Sequence, residues 1–520
     1  MKKLIALQVL MMTVLIVNAQ SGLKWQKIDS FKEKYNFEYF IRTGNNTYDA
    51  VFTIPHNKPF QATQHNIFIR SYDKNMVQVS ERGIPAESPR TLYIAGFRNF
   101  NVLAGNMDEG KNPFSKFSKD EKVLIADENM NPLTESTFPL HGKRNYFDGL
   151  PTLYASPDSS FLIVVASEVL PGKPMKQPPM IYYVNVYDKS MKMVWTDSIK
   201  TEQVFGEDVV LNNVSFSFIE NKLLFACSID KKGFSKTPAQ LFLLEYEKPQ
   251  SYKMVLKEDF PIDLISFQVV YNTNGMVYLS GTNHQNTNEG GVMGLPGMTK
   301  RKLFYIKVDI KNGSAPVIKN YDIDKDFTAK YPDYKLQLME SFRYPTQLLV
   351  INDNLYYISE HRYSSTTTTR SASGSTSSTT TYYFKAITII KFDENGGIQW
   401  LKMIPRTVET GGIYAQGICK AFRTGNDICL FYYDYLENVT SGRNIPRLIS
   451  SDLKLWLAKA MISSDGEIHS RVVSNIGDDK VATEIPNMIQ LGDTRFLVIG
   501  RRYIGINAAF DVYYSFYDLD

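Results

Sequence analysis

The sequence predicts an all-β protein built from repeated antiparallel units, and three observations lead to this prediction. Tyr and Phe, which favour strands, number 32 and 31 among 520 residues. Short runs of alternating apolar and polar residues end at Asp, Asn or Gly, as strands joined by hairpin turns do. One strand–turn–strand unit recurs along the chain at intervals of about 60 residues. With 43% apolar and 22% charged residues, the composition is that of a folded protein and excludes wholesale disorder.

The repeated unit can be followed from one end of the chain to the other. The first strands of its copies begin at residues 67, 122, 181, 240, 302, 387, 455 and 511. The clearest copy runs from Ile387 to Asp393, turns through Glu-Asn-Gly-Gly, and continues through Trp400. The last copy, residues 511–518, ends the chain without a second strand. Residues 25–28, Trp-Gln-Lys-Ile, have the pattern of that missing strand, and we expect them to complete the last copy.

Two further strand-like segments lie between successive copies, for example residues 214–218 and 223–227. Four strands in about 60 residues is the period of a β-propeller blade. The predicted fold is therefore a single β-propeller of four-stranded blades that spans residues 20–520. Eight blades fit the length best and seven are the alternative. Pairing of the N-terminal and C-terminal strands is expected to close the ring.

The chain resembles the β-propeller superfold in its broad WD40-like and quinoprotein-like sense, over nearly all of its length. The turn Ser156-Pro157-Asp158 is similar to the strand-linking turn of many bacterial propellers. The stretch Ser359-Glu360-His361, followed by a Ser/Thr segment, resembles secreted proteins of Bacteroidota-type bacteria. The resemblance implies an architecture and no assigned family function.

The N-terminus has the order of a secretory signal peptide. A basic start with Lys2 and Lys3 precedes an apolar run over residues 4–17, and Ala19 stands before the predicted cleavage point. Residues 1–19 are therefore expected to be removed, which places the protein in the periplasm or at the cell surface. No Cys lies near the cleavage point, so a lipoprotein anchor is not expected. No later run is long enough for a membrane-spanning helix, so none is expected after cleavage.

Charge and cysteine content narrow the function further. Lys and Arg total 58 against 54 Asp and Glu, and this near balance argues against nucleic acid as the main partner. Cys227, Cys419 and Cys429 are too few for a disulfide framework. Cys419 and Cys429 flank a turn-like stretch, so a disulfide across a hairpin and two buried thiols both stay open.

Long loops are predicted between the second and third strands of most blades, all on one face of the propeller. Such loops are where repeat folds usually carry function. The loop over residues 289–298 has apolar side chains among its glycines, and the neighbouring loops lean basic, which suits a protein or an acidic polymer. The candidate partner-binding residues are Met293, Leu295, Pro296, Met298, Lys300, Arg301, Arg443, Arg447, Arg501 and Arg502.

Two further segments have unusual composition. Residues 364–381 are almost entirely Ser, Thr and Gly, cannot form a core, and predict a flexible loop. Residues 322–326 alternate Asp with other residues like the start of a calcium loop, but lack its Gly and Glu, so we expect a solvated connection.

No catalytic motif was found, and neither a cofactor nor a metal site is expected. The six His residues are scattered without metal-ligand spacing. The leading hypothesis is a non-enzymatic binding scaffold outside the cytoplasm that uses the long-loop face. One alternative is a periplasmic accessory subunit of an outer-membrane secretion machine of the type IX kind. Another is a propeller hydrolase or lyase acting on a polysaccharide, or a quinoprotein-like dehydrogenase, so enzymatic activity is left open.

Overall fold

The computed structural model describes residues 23–519 with internal gaps. The gaps are residues 30–35, 43–46, 57–63, 85–88, 98–99, 108–119, 127–131, 140–151, 170–179, 206–208, 210, 231–237, 261–263, 285–300, 329–344, 371–375, 412–418, 442–453 and 505–508. The predicted signal peptide lies outside the described residues.

The described chain forms eight antiparallel sheets, numbered here in chain order. Sheet 1 contains β2 (Asn36–Arg42), β3 (Tyr48–His56), β4 (Gln64–Tyr72) and β5 (Gln78–Ile84). Sheet 2 contains β6 (Pro89–Phe97), β7 (Phe100–Met107), β8 (Asp120–Ala126) and β9 (Pro132–Pro139). Sheet 3 contains β10 (Thr152–Ala155), β11 (Phe161–Val169), β12 (Met180–Asp188) and β13 (Met193–Lys200). Sheet 4 contains β14 (Asn212–Ile219), β15 (Lys222–Ile229), β16 (Ala239–Lys248) and β17 (Ser251–Phe260).

The second half of the chain continues the same plan. Sheet 5 contains β18 (Leu264–Tyr271), β19 (Met276–His284), β20 (Arg301–Asp309) and β21 (Val317–Asp322). Sheet 6 contains β22 (Pro345–Ile351), β23 (Asn354–Arg370), β24 (Thr376–Phe392), β25 (Ile398–Ile404) and β26 (Val408–Gly411). Sheet 7 contains β27 (Lys420–Thr424), β28 (Asp427–Tyr435), β29 (Leu455–Ile462) and β30 (Ile468–Asn475). Sheet 8 contains β31 (Ala482–Thr483), β32 (Ile489–Gln490), β33 (Arg495–Ile504), β34 (Ala509–Asp518) and β1 (Gln26–Asp29).

Helical structure in the described residues is confined to connections. These short segments are α1 (Thr201–Phe205), α2 (Leu436–Ser441), α3 (Ile476–Asp479), a π-helix over Ile323–Thr328 and a 3₁₀-helix over Ile485–Asn487. The π-helix covers the stretch considered as a calcium loop, where the Asp326 carboxylate accepts a hydrogen bond from the Asp322 amide at 2.6 Å.

The predicted all-β propeller architecture of repeated four-stranded antiparallel sheets is confirmed. Each hairpin expected from the sequence repeat joins the third and fourth strands of one sheet. The N-terminal strand β1 pairs antiparallel with the C-terminal strand β34, and Lys27 bridges to Asp511 at 2.8 Å. The exact blade count and the closure of a complete ring stay predictions.

Consecutive sheets pack face to face through apolar side chains, which is what a propeller requires. Phe304 of sheet 5 packs with Leu243 of sheet 4, and Tyr305 of sheet 5 packs with Tyr357 of sheet 6. Sheet 1 packs on sheet 8 in the same way. Burial of one such side chain contributes about 1.5–3 kcal/mol, so the inter-sheet layers stabilise the fold substantially.

The turns between the third and fourth strands of sheets 1, 3 and 6 share one hydrogen-bonding pattern. The Oδ1 atom of Asp393 accepts from the amides of Asn395 (2.9 Å) and Gly397 (2.7 Å). Asp73 and Asp188 make the same pair of bonds in sheets 1 and 3. An Asp that bonds its own following amides stabilises a turn, which explains the Asp at the end of these repeat strands.

The fourth residue of these turns has a left-handed backbone and packs against the preceding sheet. Its φ is +63° at Met76, +60° at Met191, +77° at Gly396 and +89° at Gly466. A Cβ atom on Gly396 would lie 2.5 Å from Tyr305 of sheet 5. Inter-sheet packing and the positive φ therefore both restrict which residue can occupy the fourth position of the turn.

We expect Gly396→Ala to destabilise the protein more than Gly313→Ala. Both glycines have positive φ, so each alanine adds strain of about 1 kcal/mol. Nothing lies within 4 Å of a Cβ on Gly313, whereas Gly396 meets the Tyr305 ring. The clash adds about 1–3 kcal/mol for Gly396→Ala, measured by urea unfolding. Equal losses for the two variants would contradict packing of the turn on sheet 5.

Candidate functional site

The second and third strands of each sheet are separated in the chain by residues that lie wholly or mostly outside the described part, so the predicted long loops stay predictions, except in sheet 6. Most of the candidate partner-binding residues in those loops lie outside the described residues: Met293, Leu295, Pro296, Met298, Lys300, Arg443 and Arg447. Arg301 is the first residue of β20 and pairs with His284 of β19. The site must therefore be built from the strand ends that carry these loops.

Arg501 and Arg502 are near the end of β33, the second strand of sheet 8. The guanidinium of Arg501 bonds the carboxylate of Glu484, which also accepts from the Asn487 amide at 2.6 Å. Burial raises the pKa of Glu484 above its ordinary value. Arg501 is thus engaged within its own sheet, and Arg502 is the exposed residue of the two.

The Ser/Thr-rich segment of sheet 6 differs from the loop that its composition predicts. β23 and β24 extend beyond the sheet as a two-stranded ladder, pairing residue by residue from Arg362 with Phe384 to Arg370 with Thr376. Within the segment, residues 371–375 are the ones outside the described part of the chain. Thr is a β-branched residue that fits a pleated strand, so local strand preference prevails where no core is available. We call residues 362–370 and 376–384 the arm.

Hydroxyl groups run along both faces of the arm. Thr366 bonds Thr380 across the ladder at 2.9 Å, and Thr368 bonds Ser378 at 3.0 Å on the same face. On the opposite face Thr369 bonds Ser377 at 2.9 Å. Cross-strand hydroxyl pairs of this kind stabilise a ladder by about 0.2–1 kcal/mol each.

Aromatic rings mark the base of the arm. Tyr363 and Tyr383 are cross-strand partners whose rings stack with centroids 4.6 Å apart, and His361 stacks on Tyr363 at 5.4 Å. Tyr363 is 45% exposed. The arm therefore presents an aromatic step followed by rows of hydroxyl groups.

The arm is held against sheet 7. β26 pairs with β24 from Thr381 to Phe384, which makes the base of the arm three-stranded. Phe384 and Val408 belong to a buried cluster that contains Tyr433 and Tyr435 of sheet 7. This packing fixes the direction in which the arm leaves the propeller body.

A fully buried ion pair lies beneath the arm. The Arg406 guanidinium bonds one carboxylate oxygen of Glu360, and both side chains are inaccessible to solvent. Arg406 also donates from Nε to the Lys385 carbonyl at 3.1 Å and from Nη1 to the Tyr433 carbonyl at 3.4 Å. Arg406 thus joins β23 and β24, next to the point where they extend into the arm, to the second strand of sheet 7.

Asp434, beside this network, is 1% exposed. One of its carboxylate oxygens accepts from the Asn438 amide and from the Tyr435 backbone amide, both at 2.8 Å. Burial raises the pKa of Asp434 to about 7, against the lowering effect of these bonds and of Arg406. Asp434 therefore titrates near neutral pH.

Only one of the two carboxylate oxygens of Glu360 has hydrogen-bond partners among the described residues. Its Oε1 atom also accepts from the Cys419 amide at 3.3 Å, while Oε2 has no hydrogen-bond partner among the described residues. Both Cys419 and Cys429 are buried free thiols. The strand register places Cys429 opposite Phe422, so a disulfide across this hairpin is not formed.

The first strands of the sheets contact one another and carry polar side chains that the sequence analysis did not single out. Three amides bond backbone carbonyls of the next sheet: Asn213 to Ile265 (2.8 Å), Gln268 to Thr346 (3.0 Å) and Gln347 to Ala421 (2.9 Å). Their spacing of 55 and 79 residues follows the repeat and could have drawn attention to them.

Lys420 extends this series in the first strand of sheet 7. Its Nζ donates to the carbonyls of Pro486 (2.7 Å) and Met488 (2.9 Å), where the inner strand of sheet 8 is interrupted. Burial lowers the pKa of Lys420 to about 8. These contacts tie the inner strands together and leave the side chains engaged with backbone.

Metal and membrane features were also sought in the described part of the chain. No group of three or more His, Cys, Asp or Glu side chains there is arranged to hold a metal ion. None of the helices described has the length and hydropathy needed to cross a membrane.

Comparisons with known proteins bear on the fold. No protein-family model and no curated protein matches the chain. Among solved structures, it is similar to the WD40 domain of SCAP from fission yeast (9% identity, 95% of this chain and 98% of that chain, TM-score 0.42). It is also similar to polysaccharide lyase Uly1 (10%, 94% and 93%, 0.40) and to an α-L-arabinanase from Penicillium chrysogenum (10%, 71% and 92%, 0.32). These neighbours include both a WD40 domain and enzymes acting on polysaccharides, and they do not decide the function.

We expect Arg406→Met to lower the free energy of unfolding by about 3–5 kcal/mol, because it leaves the Glu360 carboxylate buried without its cation. Urea unfolding measures the loss. The exposed pair Lys311–Glu220 gives the control, since Lys311→Met should cost less than about 1 kcal/mol. The double variant Arg406→Met/Glu360→Leu should recover much of the stability. A single-variant loss no larger than the control would contradict a tightly coupled buried pair.

We expect the free energy of unfolding to fall as pH rises from about 4 to about 7 through Asp434. The folded protein holds a proton on this carboxyl up to about pH 7, whereas the unfolded chain loses it near the ordinary pKa of 3.8. The effect amounts to at most about 4 kcal/mol. Asp434→Asn should remove this part of the pH dependence and be the more stable protein at pH 8. Identical pH profiles of unfolding for the two proteins would refute the assignment.

Proposed function

We propose that the protein is an exported, non-enzymatic binding scaffold that holds its partner against the long-loop face of the propeller. The observation that carries the proposal is the arm of sheet 6, a projecting ladder fixed at its base by Arg406 and by packing on sheet 7. Burial of an ion pair costs desolvation energy. A buried pair that fixes the direction of an exposed hairpin therefore favours a functional role for that direction.

The chemistry of the arm indicates the class of partner. Its described strands contain no Asp or Glu, and Arg362 and Arg370 are exposed. Hydroxyl rows, two guanidinium groups and the Tyr363–Tyr383 step together suit a hydroxyl-rich anionic polymer, such as an acidic polysaccharide. An acidic protein surface would use the same guanidinium groups and is the second kind of partner considered.

The candidate loop residues complete this proposal. Arg502 is exposed near the end of β33, and the loop residues Met293, Leu295, Lys300 and Arg443, which lie outside the described residues, are assigned by the proposal to partner contacts. Their apolar and basic side chains add contacts for a protein partner. Export rests on the signal sequence of residues 1–19, and location in the periplasm or at the cell surface belongs to the proposal.

We expect shortening of the arm to abolish partner binding without unfolding the protein. Replacing residues 366–380 by Asn-Gly joins the paired residues Ser365 and Thr381 in a two-residue turn, and keeps β26 and the tyrosine step. Retention on immobilised polygalacturonate, and recovery of proteins from the native cell envelope, measure binding.

The matched control is Arg370→Gln/Arg362→Gln, which keeps the ladder and removes its charge. This variant should lose retention on polygalacturonate, whereas a neutral dextran matrix should retain none of the proteins. An arm-shortened protein that is folded and binds as well as the unmodified protein would count against the proposal.

A further inference from the structure

A second surface lies at the outer edge of the first four sheets. Among the described residues, the large exposed apolar side chains other than Tyr363 of the arm all lie just before or within the first four residues of a fourth strand in sheets 1–4. They are Val77, Val79, Leu133, Met193, Val194, Tyr252 and Met254, with 38–59% of each side chain exposed. We call these residues the apolar rim.

Three rim residues occupy one structural position. Val79, Leu133 and Val194 are each the extra residue of a β-bulge, directly after the turn that leads into the fourth strand. A bulge on an edge strand interrupts the ladder and turns the extra side chain outward. In sheet 6 the corresponding bulged residue is Gln399, which is polar and exposed.

The fourth strands of the other four sheets expose polar and cationic side chains instead. The exposed residues there include Lys319, Gln399, His469 and Lys27. Exposed apolar side chains are therefore concentrated on one side of the described protein. Single exposed apolar residues are ordinary, but their concentration on four consecutive sheets marks an interaction surface.

The apolar rim is continuous from sheet 2 to sheet 4. Thr134, next to Leu133, donates to the Met191 carbonyl of sheet 3 at 3.4 Å. The Gln250 amide of sheet 4 donates to Asp197 of sheet 3 at 2.8 Å, and Tyr252 reaches the carbonyl of Val204 in α1 at 3.1 Å. These contacts hold the fourth strands side by side.

Positive charge accompanies the rim. Lys74, Lys189, Lys192 and Lys253 are exposed, and none forms an ion pair among the described contacts. Asp73 and Asp188 keep their negative charge while they accept hydrogen bonds from the amides of their own turns. Among the described residues of these fourth strands and of the residues that lead into them, the exposed lysines outnumber the exposed carboxylates: Lys74, Lys189, Lys192, Lys200, Lys248, Lys253 and Lys257 against Glu81, Glu247 and Asp259. Glu81 and Glu247 are paired with Arg70 and Lys222, so the exposed charge on this surface is mainly cationic.

We infer that the apolar rim binds an acidic amphipathic segment of another protein. Apolar side chains of the segment cover the rim residues, and its carboxylates meet the lysines. A second copy of this chain would bring the same lysines together. The bulges disfavour the addition of a regular strand at these edges.

The test uses the purified full protein and a fluorescein-labelled amphipathic helical peptide with Leu on one face and Glu on the other. A second peptide, identical except for Lys in place of Glu, serves as the comparison. Fluorescence anisotropy should show the acidic peptide binding at least about tenfold more tightly than the basic one. The triple variant Val79→Ser/Leu133→Ser/Val194→Ser should weaken acidic-peptide binding at least about tenfold. The matched variant Lys319→Ser/Gln399→Ser/His469→Ser should bind as the unmodified protein does.

Further arms of the experiment separate the alternatives. Lys189→Glu/Lys192→Glu should shift preference toward the basic peptide, and thermal unfolding checks that each variant folds. The arm-shortened protein should bind the acidic peptide normally, which keeps this inference separate from the proposed function. Any of three results would overturn it: no acidic-peptide binding at about 100 µM, rim-dependent dimerisation in sedimentation velocity, or rim-dependent binding to phosphatidylglycerol vesicles with no peptide binding.

Discussion

The sheets of this protein depend on their neighbours, because in the described part of the chain their apolar faces are buried against an adjacent sheet. Tyr305 and Leu303 of sheet 5 are covered by Leu355 and Tyr357 of sheet 6, and the same arrangement recurs along the chain. A sheet at the end of an open row would leave one such face in water. Pairing of β1 with β34 joins the first strand of the chain to its last sheet, and sheet 8 packs on sheet 1. The ends of the chain therefore contribute to the core.

Polar groups enter the interior mainly where neighbouring sheets must be aligned. Gln347 and Lys420 bond backbone carbonyls of the next sheet. Because a hydrogen bond has a preferred direction and an apolar contact has none, these bonds fix how the two sheets are aligned. Arg406 does the same at the long-loop end, where it joins Glu360, the arm and sheet 7. Burial of this ion pair costs desolvation energy that an apolar pair of the same size would avoid. In the proposed function, the role of this pair is to orient the arm.

Local sequence patterns predicted the repeat well, because hairpin turns are encoded by adjacent residues. Asp393 and Gly396 supply the acceptor and the positive φ of their turn within four positions. The arm was predicted as a flexible loop from its composition. A segment of Ser, Thr and Gly has too few apolar residues to form a core, but its composition does not show whether two strands pair. Arg406 could not be found, since its partners Glu360 and Tyr433 are 46 and 27 residues away and only folding brings them together. Residues that form polar contacts far along the chain do not recur at a regular interval, so a search for sequence repeats does not find them.

The repeats share their mode of packing and differ at their surfaces. Val79, Val194 and Gln399 occupy the same bulged position in three sheets, yet two are apolar and one is polar. The inward packing of these strands does not require this difference, because the bulged side chain points outward in each case. Among the described residues, the arm belongs to sheet 6 and the apolar rim to sheets 1–4. The protein that we propose to be a scaffold thus carries two surfaces of different chemistry, and the two proposals assign a different partner to each.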